Sequence, residues 1–139
     1  MLLCEPTLPQ PQPNADSLPY WNGAREGRLL IQQCDDCRAT HFMARLLCPA
    51  CWSNKLAWVP CRGYGTVHSY TVIRRASMAT FATMVPYVVA LIELDEGPRM
   101  VSNILGDDAL DVRIGDRVQV TFQDRGDNAK VPQFTRIPS

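Results

Sequence analysis

Short blocks of apolar residues, separated by turn residues, follow one another through the second half of the chain. Several of them alternate apolar and polar positions, and they are bounded by Gly, Asn and Asp, which is typical of β-strands. The blocks cover residues 65–73, 87–94, 99–105, 117–122 and 133–136. Because five strands follow one another within about 75 residues without helical periodicity, we predict a small closed or nearly closed barrel.

The first half of the chain has a different pattern. Residues 1–17 contain four prolines, which fix φ and remove backbone donors, so we expect an extended N-terminal arm. A short helix should follow, with Asp16 or Ser17 as its cap and Gly27 at its end. Three short apolar runs, at 29–31, 40–43 and 56–59, are predicted strands. We therefore expect three parts: an arm (1–17), a helix with a cysteine-rich segment (18–62) and a barrel (63–139).

Composition excludes some classes of protein. The 14 Lys and Arg residues balance the 14 Asp and Glu residues, which argues against a surface built to neutralise a phosphate backbone. No apolar run approaches the ~18 residues of a membrane span, so no membrane association is expected. The N-terminus lacks the charge and apolar core of a secretory signal. We therefore expect a cytoplasmic protein with reduced thiols.

Four of the six cysteines have the spacing of a metal site. Cys34 and Cys37 are followed ten residues later by Cys48 and Cys51, each pair separated by two residues. Two such turns joined by a hairpin bring four thiolates around one ion, as in a zinc ribbon. Zn²⁺ is the expected metal and iron the alternative. Since all four ligands are protein groups, the metal should be structural, and His41, between the pairs, should be an ordinary hairpin side chain.

No constellation of catalytic residues is evident. His68 and Ser69 are neighbours on a strand, so they should point to opposite faces and cannot act as a base–nucleophile pair. No Gly-rich phosphate loop or dinucleotide fingerprint occurs. The unusual segment is 74–86, where two arginines precede an apolar loop with two Met and one Phe. Such a loop suits a surface for a partner or an anionic ligand, or a lid folded over the barrel end.

A series of motifs carries a family resemblance. They are Tyr20-Trp21-x-Gly23, Gly27-x-Leu29-x-Ile31-Gln32 before the first cysteine pair, Cys48-Pro49-x-Cys51, Trp58, Gly63-x-Gly65-Thr66-Val67-x-Ser69-x-Thr71, the run from Pro86 to Gly97, Ile114-Gly115-x2-Val118 and Phe134. Over about residues 18–136 the chain resembles the zinc-ribbon/OB-fold proteins that accompany thiolases in acyl-CoA metabolism. It departs from them at Arg38, where the family usually has Gly, and at Ala44, where it usually has Pro.

The resemblance implies a fold and a role. The fold is mainly β: a short N-terminal helix, a rubredoxin-like zinc ribbon and a five-stranded OB-fold barrel. The role is that of a non-catalytic subunit of a thiolase-like enzyme, whether a thiolase, an acyltransferase or a retro-aldolase of steroid side-chain degradation. The thiolase-like subunit would perform the carbon–carbon chemistry on acyl-CoA. A hydratase, where one takes part, would be a separate chain.

The resemblance also directs attention to surface residues. The docking candidates are aromatic or methionine side chains on the helix and on the 76–87 loop: Tyr20, Trp21, Phe81, Met84 and Tyr87. The candidates for contacts with CoA phosphates rest on charge alone: Arg74, Arg75 and Arg99.

Two other functions are compatible with the same fold. OB-folds and zinc ribbons also bind single-stranded nucleic acid through stacked aromatics and a basic groove, although the balanced charge weighs against it. A free-standing acyl-CoA binder or hydrolase is the second alternative. Turnover of acyl-CoA by the purified chain would favour the latter, and salt-sensitive binding of an oligonucleotide the former.

Overall fold

A short helix, a three-stranded sheet and a five-stranded barrel follow one another along the chain, which confirms the predicted fold class. The computed structural model describes residues 8–126 and 128–138. The helix and strands are α1 (Leu18–Arg25), β1 (Leu30–Cys34), β2 (Thr40–His41), β3 (Leu56–Pro60), β4 (Tyr64–Ile73), β5 (Tyr87–Leu94), β6 (Arg99–Leu105), β7 (Arg117–Asp124) and β8 (Lys130–Arg136). Short 3-10 turns occupy Ala79–Phe81 and Ala109–Asp111.

The helix begins and ends where the sequence predicts. Ser17 occupies the N-cap position, and its backbone N–H donates to Asn14 Oδ1 at 2.8 Å. Its hydroxyl oxygen accepts from the backbone N–H of Asn14 at 3.1 Å rather than from the first turn of the helix. Gly27, with φ of 80°, ends the element. The segment just before α1 is thus fixed by a reciprocal pair of hydrogen bonds. No described helix is long and apolar enough to cross a membrane.

The first sheet has the order β2-β1-β3 and is antiparallel throughout. Gln32 of β1 lies opposite His41 on one side and Trp58 on the other. The run predicted at 40–43 is a strand only at Thr40–His41. It stops early because Met43 adopts a left-handed backbone conformation, with φ of 72°, which no strand can contain.

The second sheet is a closed barrel with the order β4-β5-β6-β8-β7. Its pairings are antiparallel except that between β6 and β8, which is parallel and joins them at Ile104 and Leu105. β8 begins three residues earlier than predicted, because Pro132, which argues against a strand interior, lies opposite Phe122 within the β7–β8 ladder. The barrel is a five-stranded OB-fold, as the resemblance implies.

One hydrophobic core joins the two sheets. Alternate residues of β5 point inward, and Ile92 is fully buried. Phe134 of β8 lies in the same cluster. Tyr20 of α1 and Leu29 and Ile31 at the entrance to the ribbon belong to it as well. Because the core is shared, the ribbon sits against the barrel in a defined position.

Candidate functional site

The four predicted cysteines converge on one point. The Sγ atoms of Cys34, Cys37, Cys48 and Cys51 all lie within 4.8 Å of one another. Two cross-pair separations, Cys34 to Cys51 and Cys37 to Cys48, are both 3.6 Å. A tetrahedral ion with sulfur bonds of about 2.3 Å needs sulfur–sulfur distances of about 3.8 Å. The cluster therefore fits a single Zn²⁺ held by four thiolates.

Both metal-binding turns are built in the same way. The carbonyl of Cys34 accepts from the backbone N–H of Arg38 at 2.9 Å, and that of Cys48 accepts from Trp52, also at 2.9 Å. Arg38 and Trp52 have φ of 65° and 68°, the left-handed region that glycine adopts most readily. Arg38, which stands where the family usually has Gly, therefore adopts the same turn geometry as Trp52.

Backbone amides point at the sulfurs. The N–H of Cys37 donates to Cys34 Sγ at 3.5 Å, and the N–H of Ala50 donates to Cys48 Sγ at 3.4 Å. The amide of Cys37 is the main cause that lowers the pKa of the Cys34 thiol to about 7. Such donors stabilise the thiolate form, which is the form that binds metal.

The loop between the two turns is anchored by a buried amide. The side-chain oxygen of Gln32 accepts from the backbone N–H of Arg45 at 2.8 Å, and its nitrogen donates to the Arg45 carbonyl at 3.2 Å. The same oxygen lies 2.6 Å from His41 Nε2. His41 is thus a hairpin side chain, as expected, and lies outside the cysteine cluster.

Of the predicted docking residues, Tyr20 is not on the surface. Its side chain is 9 % exposed and packs in the core, with its ring centroid 4.9 Å from that of Trp21 and 5.5 Å from that of Phe42. Tyr20 and Trp21 are neighbours on a helix, so their side chains point in different directions. Their aromatic character alone does not show which of the two is buried. Tyr20 supports the half-buried Trp21 and offers little surface of its own.

The docking candidates of the 76–87 loop are partly exposed beside the barrel. Phe81 and Tyr87 are ring neighbours, with centroids 6.1 Å apart, and Met84 is exposed. Phe81 and Trp21 line one hollow of about 300 Å³. The structure therefore brings together two docking candidates that are 60 positions apart in the sequence. Met84 and Tyr87 lie outside this hollow.

The three candidate arginines do not form one site. Arg74 and Arg75 follow the end of β4, beside the start of β5, whereas Arg99 pairs with Glu93 near the end of β5. Six strand positions separate those ends, or about 20 Å. Arg99 Nε is 4.0 Å from a Glu93 carboxylate oxygen. A single CoA phosphate thus cannot be held by all three.

No motif in the sequence indicates the hollow that lies beside α1. It encloses about 470 Å³ between α1, the ribbon and the outer face of the barrel, and Trp21, Phe42, Trp58, Val101 and Arg99 are among its lining residues. These residues come from four separate elements and loops, so no local motif could reveal their meeting.

Comparisons with known proteins agree with this geometry. Residues 21–57 match the model of the ChsH2 rubredoxin-like zinc ribbon domain, and residues 58–123 match that of the ChsH2 C-terminal OB-fold domain. A DUF35 domain-containing scaffold protein of Methanothermobacter thermautotrophicus is 38% identical over 92 residues, which are 66% of this chain and 68% of that protein.

Two further proteins are similar over most of the chain. A "Probable enoyl-CoA hydratase alpha subunit" of Thermomonospora curvata is 33% identical over 126 residues, 91% of this chain but only 39% of that longer protein. A chain of the solved Ltp2-ChsH2(DUF35) aldolase superposes with a TM-score of 0.81 at 32% identity, covering 91% of this chain and 98% of the other. The resemblance drawn from the sequence is confirmed. The chain belongs to the DUF35 family and carries the zinc ribbon and OB-fold of its ChsH2 members.

Proposed function

We propose that the chain is a non-catalytic accessory subunit, which docks on and supports a thiolase-like enzyme acting on acyl-CoA. The observation that carries the proposal is the similarity, at a TM-score of 0.81, to a chain of the Ltp2-ChsH2(DUF35) aldolase. The similarity to a hydratase alpha subunit that is named for enoyl-CoA supports the acyl-CoA class. A separate hydratase chain is a second partner in this proposal.

In this role the metal centre is structural. A zinc bound by Cys34, Cys37, Cys48 and Cys51 has no open position for water or substrate and contributes folding free energy to a ribbon too small to fold alone. The cluster of reduced thiols suits a cytoplasmic complex. The chain is divided in this proposal into an arm (1–17), a part with the helix and the ribbon (18–62) and a barrel (63–139).

Surface side chains of this chain would contact the partner enzyme and its substrate. Trp21 and Phe81 are the first docking candidates because they meet in one hollow, and Met84 and Tyr87 extend the surface along the loop. Arg74 and Arg75 are exposed and form no ion pair with any described residue. They remain candidates for a CoA phosphate that the partner's substrate presents. The carbon–carbon chemistry belongs to the partner.

The test is an assay of the chain alone and in complex. The tagged full-length chain is purified from its native cells, and the eluate is identified by mass spectrometry. It is then assayed with β-hydroxyacyl-CoA and β-ketoacyl-CoA. We expect a thiolase-like polypeptide in constant proportion, turnover by the complex, and none by the chain alone.

Other results would contradict the proposal. Turnover of acyl-CoA by the isolated chain would make it an enzyme in its own right. A zinc-loaded chain that carries nucleic acid and releases it in salt would assign it to single-strand binding. Either outcome leaves the fold unchanged.

A further inference from the structure

The two hollows beside α1 form one continuous groove. The first, of about 470 Å³, and the second, of about 300 Å³, share five lining residues: Tyr20, Trp21, Phe42, Met100 and Val101. The groove therefore follows the first half of β6, with the helix on one side. We call this surface the β6 groove. It lies between the ribbon and the barrel, so both must be folded and docked for it to exist.

The middle of the β6 groove is apolar and accessible. Val101 points outward from β6 and is 64 % exposed, although it lies within the strand. Trp21 and Phe42 are only partly buried against the core. Exposed apolar surface that is concave and backed by rigid strands is typical of sites that receive the side chains of a partner.

Each of the two hollows has a cation in its lining. Arg99 lines only the first hollow, and Arg125 lines only the second. Arg99 has a carboxylate no nearer than 4.0 Å, that of Glu93, among the described residues. Arg125 donates from Nη1 to the Pro9 carbonyl at 3.2 Å, but its Nε is buried and has no hydrogen-bond partner among residues 8–126 and 128–138.

The environment of Arg125 is unfavourable for its charge. Burial lowers the pKa of its guanidinium. A carboxylate supplied from outside would satisfy the free Nε–H and restore the interaction that the described chain does not provide. The charge pattern of the groove is thus cation, apolar floor, cation.

We propose that the β6 groove receives a segment of the thiolase-like partner in which apolar side chains lie between two carboxylates. The carboxylates pair with Arg99 and Arg125, and the apolar side chains cover Val101 and Trp21. β6 contributes residues 99–103 to the groove, so the segment contacts the first half of this strand. The proposal rests on the proposed function, since it assigns the seat of the same partner.

The experiment measures affinity for the purified thiolase-like subunit that accompanies the chain. Binding of wild type is compared with Val101→Glu, Arg99→Ala and Arg125→Ala by calorimetry at two salt concentrations. We expect Val101→Glu to weaken binding by about 100-fold, since it places a charge in the apolar centre, and each arginine variant by about 10-fold. The arginine variants should also depend less on salt than wild type does.

A matched control separates this effect from general damage. Ile114 is 70 % exposed and lies outside the groove, in the turn before β7, so Ile114→Glu should bind as wild type does. Circular dichroism and zinc content confirm that every variant is folded.

The outcomes distinguish the two proposals. A thiolase-like partner that binds Val101→Glu as tightly as wild type would overturn the groove but leave the accessory role standing. Trp52→Glu is included as a further variant, because Trp52 of the ribbon is 78 % exposed. If Trp52→Glu loses binding and Val101→Glu keeps it, the interface lies on the ribbon and not in the β6 groove. Absence of any thiolase-like partner would overturn both.

Discussion

At the residue scale, each metal-binding turn holds one residue in an unfavourable backbone conformation. Arg38 and Trp52 hold left-handed backbone conformations that cost an ordinary residue roughly 1 kcal/mol relative to glycine. Both positions are fixed by hydrogen bonds to the carbonyls of Cys34 and Cys48. The turn geometry that the four thiolates require therefore overrides the local preference of the side chain.

Arg38→Gly should consequently raise the stability of the zinc-loaded protein by about 0.5–1 kcal/mol. The measurement is thermal unfolding at fixed zinc concentration. Arg113→Gly is the control, because Arg113 is exposed and has no left-handed φ, and it should lower stability slightly. A lower melting temperature for Arg38→Gly would mean that its side chain makes contacts that outweigh the strain.

The cysteines differ in role. Cys34→Ser should reduce zinc from about one ion per chain to near zero and unfold the ribbon, because three sulfurs bind zinc much more weakly than four. Cys61→Ser is the matched control: Cys61 is partly buried between the two sheets and lies outside the cluster. It should retain its zinc. Metal analysis and circular dichroism check both variants, and equal zinc in Cys34→Ser and wild type would contradict the assigned ligands.

At the scale of elements, buried Gln32 connects β1, β2 and the loop that leads to Cys48. Its amide makes three hydrogen bonds, to His41 and to both backbone groups of Arg45. Gln32 is 5 % exposed, so its side-chain amide is shielded from water and depends on these partners. The order of the loop thus depends on one side chain.

Gln32→Leu should therefore cost about 2–3 kcal/mol in stability, since it removes the three hydrogen bonds that hold the loop. Hydrogen exchange should accelerate at residues 43–47. Gln33→Leu is the control, because the Gln33 side chain makes a single, exposed bond to the Arg38 carbonyl. Equal effects of the two substitutions in denaturant unfolding would show that the network does not fix the loop.

Two barrel strands, β4 and β7, meet the turn after β5 at one ion pair. Arg117 at the start of β7 donates to both carboxylate oxygens of Asp95, at 2.7 and 2.8 Å, and to Thr66 Oγ1 of β4 at 3.1 Å. Hydrogen bonds from Arg117 lower the pKa of Asp95. A lowered native pKa contributes stability at neutral pH that is lost as the pH falls through that pKa.

Asp95→Asn should accordingly lower the melting temperature at neutral pH. The difference from wild type should shrink below about pH 4, the usual aspartate range, and vanish once Asp95 is protonated in the native state. Melting curves across that range test this. Glu93→Gln is the control at neutral pH: its carboxylate lies 4.0 Å from Arg99 in an exposed pair, so its melting temperature there should stay close to that of wild type. A constant difference for Asp95→Asn at all pH values would contradict the assignment.

The strands were predictable where alternation or glycine turns define them, and less so elsewhere. β5 and β6 begin and end where the pattern predicts, because a turn at Gly97 separates two clear runs. The predicted β8 was too short, because a proline normally argues against a strand interior. Pro132 is tolerated there through its pairing with β7, which the sequence pattern does not show. The cysteine spacing predicted the cluster, since the turns are local. The β6 groove was not predictable, because distant elements build it.

At the scale of the whole molecule, the core shared by the ribbon and the barrel determines which surface the protein offers to a partner. Tyr20, Leu29 and Ile31 pack with the barrel residues, so loss of the metal should disturb the ribbon, the groove and the position of Trp21 together. A structural zinc would thus control docking without contacting the partner. We expect zinc content and partner binding to be lost together on chelation.

The most direct test of the accessory role is the native mass of the chain purified with its partner, measured together with its zinc content. We expect a stoichiometric complex with a thiolase-like subunit that contains about one zinc per copy of this chain and dissociates when zinc is removed. A zinc-loaded chain whose native mass includes no thiolase-like subunit would refute the accessory role.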